Sequence, residues 1–395
     1  IVTDTSGGTA GTVTVTGTIN ADDGTNDSLS IDTTSGGTDG AINLQAAVVA
    51  GTALDGFTAN AGTAGQVDLN NVTVDAGNIS VSGGNIDLNG TTYEATTSGS
   101  ITFNDAVDLE AGGNTITIQT AGADADDITF TDTIDDPSSN DTLELNANNG
   151  AGAPGGQAGE VIFQGNVGFT NPIGTFNISG ADDVFLQAGT FTSDGAFTVV
   201  SDTIDLATAT SFLLTSDNNN IDFSGVGTIG DSANVTQLDL TTTNGTVTLT
   251  SITLDNGGAD LLDVNSSGNA TLNGDISLAR TGGIDLVGVG GNIVLAEGDG
   301  QTMNFSTGGA FDATGVGITA NTSGSNAEDL TITADGGVTL GAVDLDGATT
   351  AGDLIVTSDN NNNGTETLQI TGTVQNVALA TLAGDGATHN DTIEI

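Results

Sequence analysis

Clusters of aspartate and asparagine are the residues of this chain best suited to chemistry. Asp22, Asp23 and Asp27 form one group. Asp124, Asp126 and Asp127 precede a short apolar alternation, and Asp132, Asp135 and Asp136 follow it. The string Thr-Ser-Asp-Asn-Asn-Asn occurs twice, with Asp217 and Asp359 as its acids. Ca²⁺ takes about six to eight oxygen ligands from carboxylates, carbonyls and water. The candidate Ca²⁺-type ligands are therefore Asp22, Asp23, Asp27, Asp124, Asp126, Asp127, Asp135, Asp136, Asp217 and Asp359. Set against this is a plainer role, because Asp and Asn are also the commonest residues of tight turns. Neither an EF-hand loop nor a Gly-Gly-x-Gly-x-Asp array is present.

Other chemistry lacks its partners. Asp126 and Asp127 could form a glycosidase-like pair, but adjacent residues of a strand point to opposite faces. The chain holds one His, His389, and one cation, Arg280, against 51 Asp plus Glu and a formal net charge of -50. Phosphate, uronate and nucleic-acid recognition rest on cationic side chains, so nucleic acid is not an expected partner. A polysaccharide-cleaving enzyme would have to work with Arg280 or His389 alone, and the expectation is a protein without catalytic residues. Anionic membranes should repel the chain, and no apolar run approaches a membrane span, so no membrane insertion is expected.

Cysteine is absent, so no disulfide or thiolate site holds the fold. With one Arg, salt bridges cannot hold it either, leaving apolar packing and backbone hydrogen bonds. Only 4% of residues are aromatic and Trp is absent, while Val, Ile and Leu recur in alternation. The loss of Lys and Arg together fits an acidic secreted protein that resists trypsin-like cleavage; adaptation to high salt is the alternative. The chain begins at Ile1, which suggests processing or a segment of something longer.

The elements that must carry these acids are short strands. Thr12–Thr16, Ile79–Ser82, Thr115–Thr120, Thr246–Thr250 and Leu330–Thr333 place apolar residues at every second position, the mark of a half-buried strand. Clusters of Gly, Asn and Asp separate them. Ala46–Leu54 reads either as a helical turn or as irregular coil. A larger unit recurs: Gly, a strand, a polar bend of two or three residues, then a second strand. It starts at Gly65, Gly99, Gly159, Gly245, Gly268 and Gly336. Spacings near multiples of about 20–23 residues suggest stacked coils, although Gly65 to Gly99 does not fit. At about 21 residues a coil, some 19 coils would form one continuous solenoid over residues 1–395. The stretch 146–159 is its expected loop insertion. Phe163, Phe169, Phe176 and Phe185 are candidates for an internal aromatic stack. The rival architecture is a string of tandem β-sandwich domains, which also shows strands at short intervals.

These units, Gly-x-Val-Thr-Leu followed by a second short strand, resemble the repetitive regions of large bacterial surface and secreted proteins of the filamentous-haemagglutinin and autotransporter-adhesin type. The resemblance implies an all-β fold, a right-handed parallel β-helix, secretion, and an adhesive or structural role at the cell surface or in the matrix. It carries over no catalytic residue. The resulting expectation is an extracellular structural or adhesive rod, within a filament, surface layer or matrix, that self-associates end to end. Glycans are possible partners, and the alternative function is a carbohydrate- or host-binding adhesin. Asn-x-Ser/Thr sequons at Asn71, Asn89, Asn177, Asn244 and Asn269 are expected by chance in so Asn- and Thr-rich a chain.

Overall fold

The structure is a computed structural model. It describes the chain except residues 4–7, 23–26, 49–52, 124, 139, 149–157, 208–210, 257–259, 280, 297–300, 321–327, 347–349, 359–366, 385–391 and 395. Every regular element among the described residues is a β-strand. The strands stack in parallel as a β-solenoid, about 13 turns in all. The chain divides into two compact units, Ile1–Asp202 and Thr203–Ile395.

In the first unit each coil contributes three strands, and each strand pairs with its counterpart one coil away. One coil runs from Gln66–Leu69 through Val72–Val74 to Ile79–Ser82, and the next begins at Asn85–Leu88. The first face stacks Val13–Val15, Ile42–Leu44, Gln66–Leu69, Asn85–Leu88, Val107–Leu109 and Ile134–Asp135. The second stacks Val72–Val74, Thr92–Ala95, Thr115–Gln119, Thr142–Asn146 and the start of Thr175–Leu186. The third runs from Ser28–Asp32 through Gly56–Asn60, Ile79–Ser82, Ile101–Phe103, Ile128–Phe130 and Val161–Phe163 to the end of Thr175–Leu186. The second unit repeats this order, with a first face from Ser211–Ser216 to Thr392–Glu394. Parallel pairing from coil to coil excludes the sandwich alternative, whose sheets are antiparallel.

The expected strand–bend–strand unit is a corner of the coil rather than a whole coil. The units starting at Gly65 and Gly336 turn from first face to second, those at Gly245 and Gly268 from second to third, and those at Gly99 and Gly159 from third to first. One motif thus serves three corners, and this explains the misfit between Gly65 and Gly99. Coil length varies with the bends. Val67 pairs with Ile86, 19 residues on, and Ile86 with Val107, 21 on. Val13 pairs with Ile42, 29 on, and Ile134 with Val167, 33 on. The 33-residue coil contains 146–159, of which 149–157 lie outside the described residues. Coils longer than about 21 residues account for about 13 turns where some 19 were expected. In the stretch Ala46–Leu54, Val48 and Leu54 form parallel bridges to Val72 and Val74, so the described part is not helical.

Alternation makes the core. Val67, Leu69, Val72, Val74, Ile79, Val81, Ile86 and Leu88 are fully buried, each worth about 1.5–3 kcal/mol. An aromatic column runs through the first unit. Phe103 stacks on Phe130 at 5.2 Å and Phe130 on Phe163 at 5.6 Å, while Phe176 stacks on Phe197 at 4.6 Å. Phe163 and Phe176 belong to it as expected, with centroids 5.7 Å apart. Phe169 and Phe185 do not: Phe169 is 64% exposed, and Phe185 sits between inward Val184 and Leu186, so the pleat turns it outward. Gly opens the motif because coils approach closely there. A Cβ on Gly65 would overlap the carbonyl oxygen of Gly40, and one on Gly159 that of Asp126.

Candidate functional site

The acidic bends cross-link coils. Asp126 is buried, and its carboxylate accepts the N–H of Gly99 at 2.7 Å and of Ala123 at 3.2 Å. Asp127, which with Asp126 lies just before the strand Ile128–Phe130, accepts the N–H of Glu160 at 3.0 Å. Asp135 accepts the N–H groups of Thr170 and Asn171, 35 and 36 residues on, at 2.9 and 3.1 Å. Asp136 is fully buried; it accepts from the N–H and hydroxyl of Ser138 and from the N–H groups of Asp141 and Gly174. Asp27 accepts the N–H of Asp22 at 3.2 Å. Asp217 is half-buried in the bend after Ser211–Ser216. Asp23, Asp124 and Asp359 lie outside the described residues, as do Arg280 and His389.

The candidates are thus distributed along the bends. Among the described residues no three carboxylate or imidazole side chains converge in a way that could hold a metal ion. Asp126 and Asp127 accept from different backbone groups, Gly99 and Ala123 for the one and Glu160 for the other. A surface hollow of about 250 Å³ is lined by Leu109, Glu110, Gly112, Pro137 and Ser138, with Glu110 its one ionisable side chain.

Two arrangements escape sequence reasoning. The first is the cradle around Asp141, a fully buried carboxylate that accepts three backbone N–H groups of the neighbouring coil. These come from Ala111 at 3.0 Å, Gly113 at 2.6 Å and Asn114 at 2.9 Å. Nothing in the local string Ser-Asn-Asp-Thr separates this Asp from its neighbours, because the donors lie 27–30 residues away.

The second is a ladder of aspartates on the first face of each unit. In the first unit Asp68 pairs with Asp87, Asp87 with Asp108 and Asp108 with Asp135, one acid per coil in register. In the second, Asp239, Asp263, Asp285 and Asp312 do the same. Parallel strands lie about 4.8 Å apart, close enough for like charges to repel strongly. Amides offset part of this. Asp87 accepts from Gln66 Nε2 and, at 2.6 Å, from Asn85 Nδ2, which also donates to Asp108 at 2.9 Å. In the second unit Asn265 donates to Asp263, and Thr241 and Thr314 to Asp239 and Asp312. Burial, with the charges of Asp68 and Glu110, pushes the Asp87 carboxyl up to about 6. Burial, with Asp239 and Asp285, raises Asp263 likewise. The alternating string of each strand, such as Gln-Val-Asp-Leu, marks its Asp as outward; the register that aligns those acids belongs to the coil lengths.

A third column is uncharged. On the third face of the first unit Ser30, Thr58, Ser80, Thr102 and Thr129 align in register, and in the second unit Thr253, Ser277, Ser306, Thr333 and Thr357 do so.

Comparison with protein-family models, with curated proteins and with solved structures finds no match to this chain.

Proposed function

We propose that the chain is a non-catalytic, secreted structural or adhesive element of an extracellular filament, surface layer or matrix. One observation carries the reading: the carboxylates best placed for chemistry bond the backbone of adjacent coils. Asp126, Asp127, Asp135, Asp136 and Asp141 each accept N–H groups from a neighbouring coil or its bend. A polyanionic, Cys-free stack with scarcely a trypsin site suits a load-bearing or shielding role outside the cell. The resemblance to filamentous-haemagglutinin and autotransporter-adhesin repeats points the same way. Within this reading the coils continue end to end from copy to copy, since an open strand edge offers unpaired N–H and C=O groups to another chain. Solvent cations, Ca²⁺ among them, offset the outer carboxylates. Electron microscopy of native material tests the proposal: filaments or a layer are expected, and a dispersed monomer at all cation concentrations would overturn it.

The hydroxyl columns favour a second reading, binding of a neutral glycan. They offer donors and acceptors free of charge on a molecule that otherwise repels anions. A glycan array probed with the protein and with Thr58→Glu/Thr102→Glu separates the two readings: binding lost in the variant supports the glycan surface, and no binding by either leaves the structural role.

A further inference from the structure

One rung of the aspartate ladder brings two carboxyl groups of neighbouring coils of the first unit together. Asp68 and Asp87 are register partners within hydrogen-bonding reach of each other. Asp87 is 9% exposed, and its two oxygens already accept from Gln66 and Asn85. Asp68 Oδ1 is buried and receives no hydrogen bond. Two ionised carboxylates so placed have no donor between them. Burial without a partner is costly for a polar atom, and like charges at this distance cannot both ionise freely.

We propose that Asp68 and Asp87 hold one proton between them, so that this rung is a proton-binding site that clasps adjacent coils as the surroundings become acidic. The proton supplies the donor that Asp68 Oδ1 lacks and turns a repulsive rung into a carboxyl–carboxylate hydrogen bond. The other acids facing the rung come from the strand Val107–Leu109 and the residue after it, Asp108 and Glu110; both add negative charge and hold the proton more firmly. The strand Asn85–Leu88 contributes no other charged group, and its inward side chains are apolar.

The raised Asp87 carboxyl sets the sign. A group whose proton is held more tightly in the folded state adds stability below its unfolded value of 3.8, and that stability is lost as pH rises through about 6. The clasp therefore weakens toward neutral pH, opposite to the usual salt-bridged carboxylate.

The test is the titration of the Asp87 side-chain carboxyl carbon by NMR in chelator-treated protein, paired with melting curves between roughly pH 5 and roughly pH 7.5. The expected midpoint is about 6, with a higher Tm at the acidic end. Asp87→Asn and Asp68→Asn, which replace the shared proton by an amide, should each flatten that slope. Asp55→Asn, which removes one charge outside the ladder, should leave it. A midpoint at the ordinary value of 3.8, or Asn variants whose pH profiles overlay that of the wild type, would overturn the proposal. The titration needs no variant to fold.

Discussion

At the scale of single residues, the acids divide by what surrounds them. Asp141 is buried yet satisfied by three N–H groups, and charge-assisted hydrogen bonds of this kind are stronger than neutral ones. Asp141→Ala would strand those donors away from water, at about 1–3 kcal/mol for each unsatisfied group. The expected outcome is a large fall in Tm on thermal denaturation. Asp141→Asn, which keeps one acceptor oxygen, should fall less, and equal losses would show that the acceptor role is not what matters. Asp87 is buried among acids instead, and burial raises its carboxyl. Tyr93, the single tyrosine, is fully buried; its hydroxyl donates to Leu69 O at 3.0 Å and accepts from Gly90 N at 3.1 Å. Burial raises its phenol, so it stays neutral across the range in which the aspartates titrate.

At the scale of elements, coil stacking is limited by two things, apolar fill and backbone approach. The Phe column supplies the fill where the first unit holds Phe103, Phe130 and Phe163. Phe130, stacked on both neighbours, should cost about 3–5 kcal/mol when truncated to Ala, measured by chemical denaturation. Phe185→Ala, at an outward position on the same face, should change stability by less than about 0.5 kcal/mol. Gly309 marks the limit of approach. Any Cβ there overlaps the carbonyl oxygen of Gly282, so Gly309→Ala should force the second unit's coils apart and lower its Tm. An unchanged Tm would mean that the bend shifts freely. The six motif units illustrate why elements were legible and their placement was not. Each corner needs the same local chemistry: a Gly where coils touch, two inward aliphatic residues, a polar bend and another short strand.

At the scale of the molecule, charge and stacking oppose each other. A net charge of -50 with one Arg leaves solvent ions as the main source of screening. Salt shortens the Debye length to about 8 Å at physiological ionic strength, still longer than the spacing of the ladder. Tm should therefore rise with NaCl up to high concentration, and more steeply with Ca²⁺ if divalent ions bridge the outer carboxylates. Melting in a salt series with and without chelator reads this. A Tm indifferent to salt would mean that the acids are neutralised within the protein, and a Ca²⁺ response no steeper than ionic strength explains would remove specific sites.

What the sequence determined by itself is the class of fold and the economy of its chemistry. Alternation such as Val67, Leu69, Val72 and Val74 specifies strands with one apolar side, Gly and Asn bends specify their turns, and repetition without Cys or Trp specifies stacking of narrow coils. The absence of cations limits which ligands can be held. Only the tertiary structure decided that three strands make a coil, which corner each motif occupies, and which acids meet. Register is the physical reason. Asp68 and Asp87 are 19 residues apart, Asp108 and Asp135 are 27 apart, and bends of different length bring all four onto one line. A chain read by local pattern shows each of these aspartates as a solvated outward residue. The stacked coils turn them into a ladder whose buried rung must find a proton.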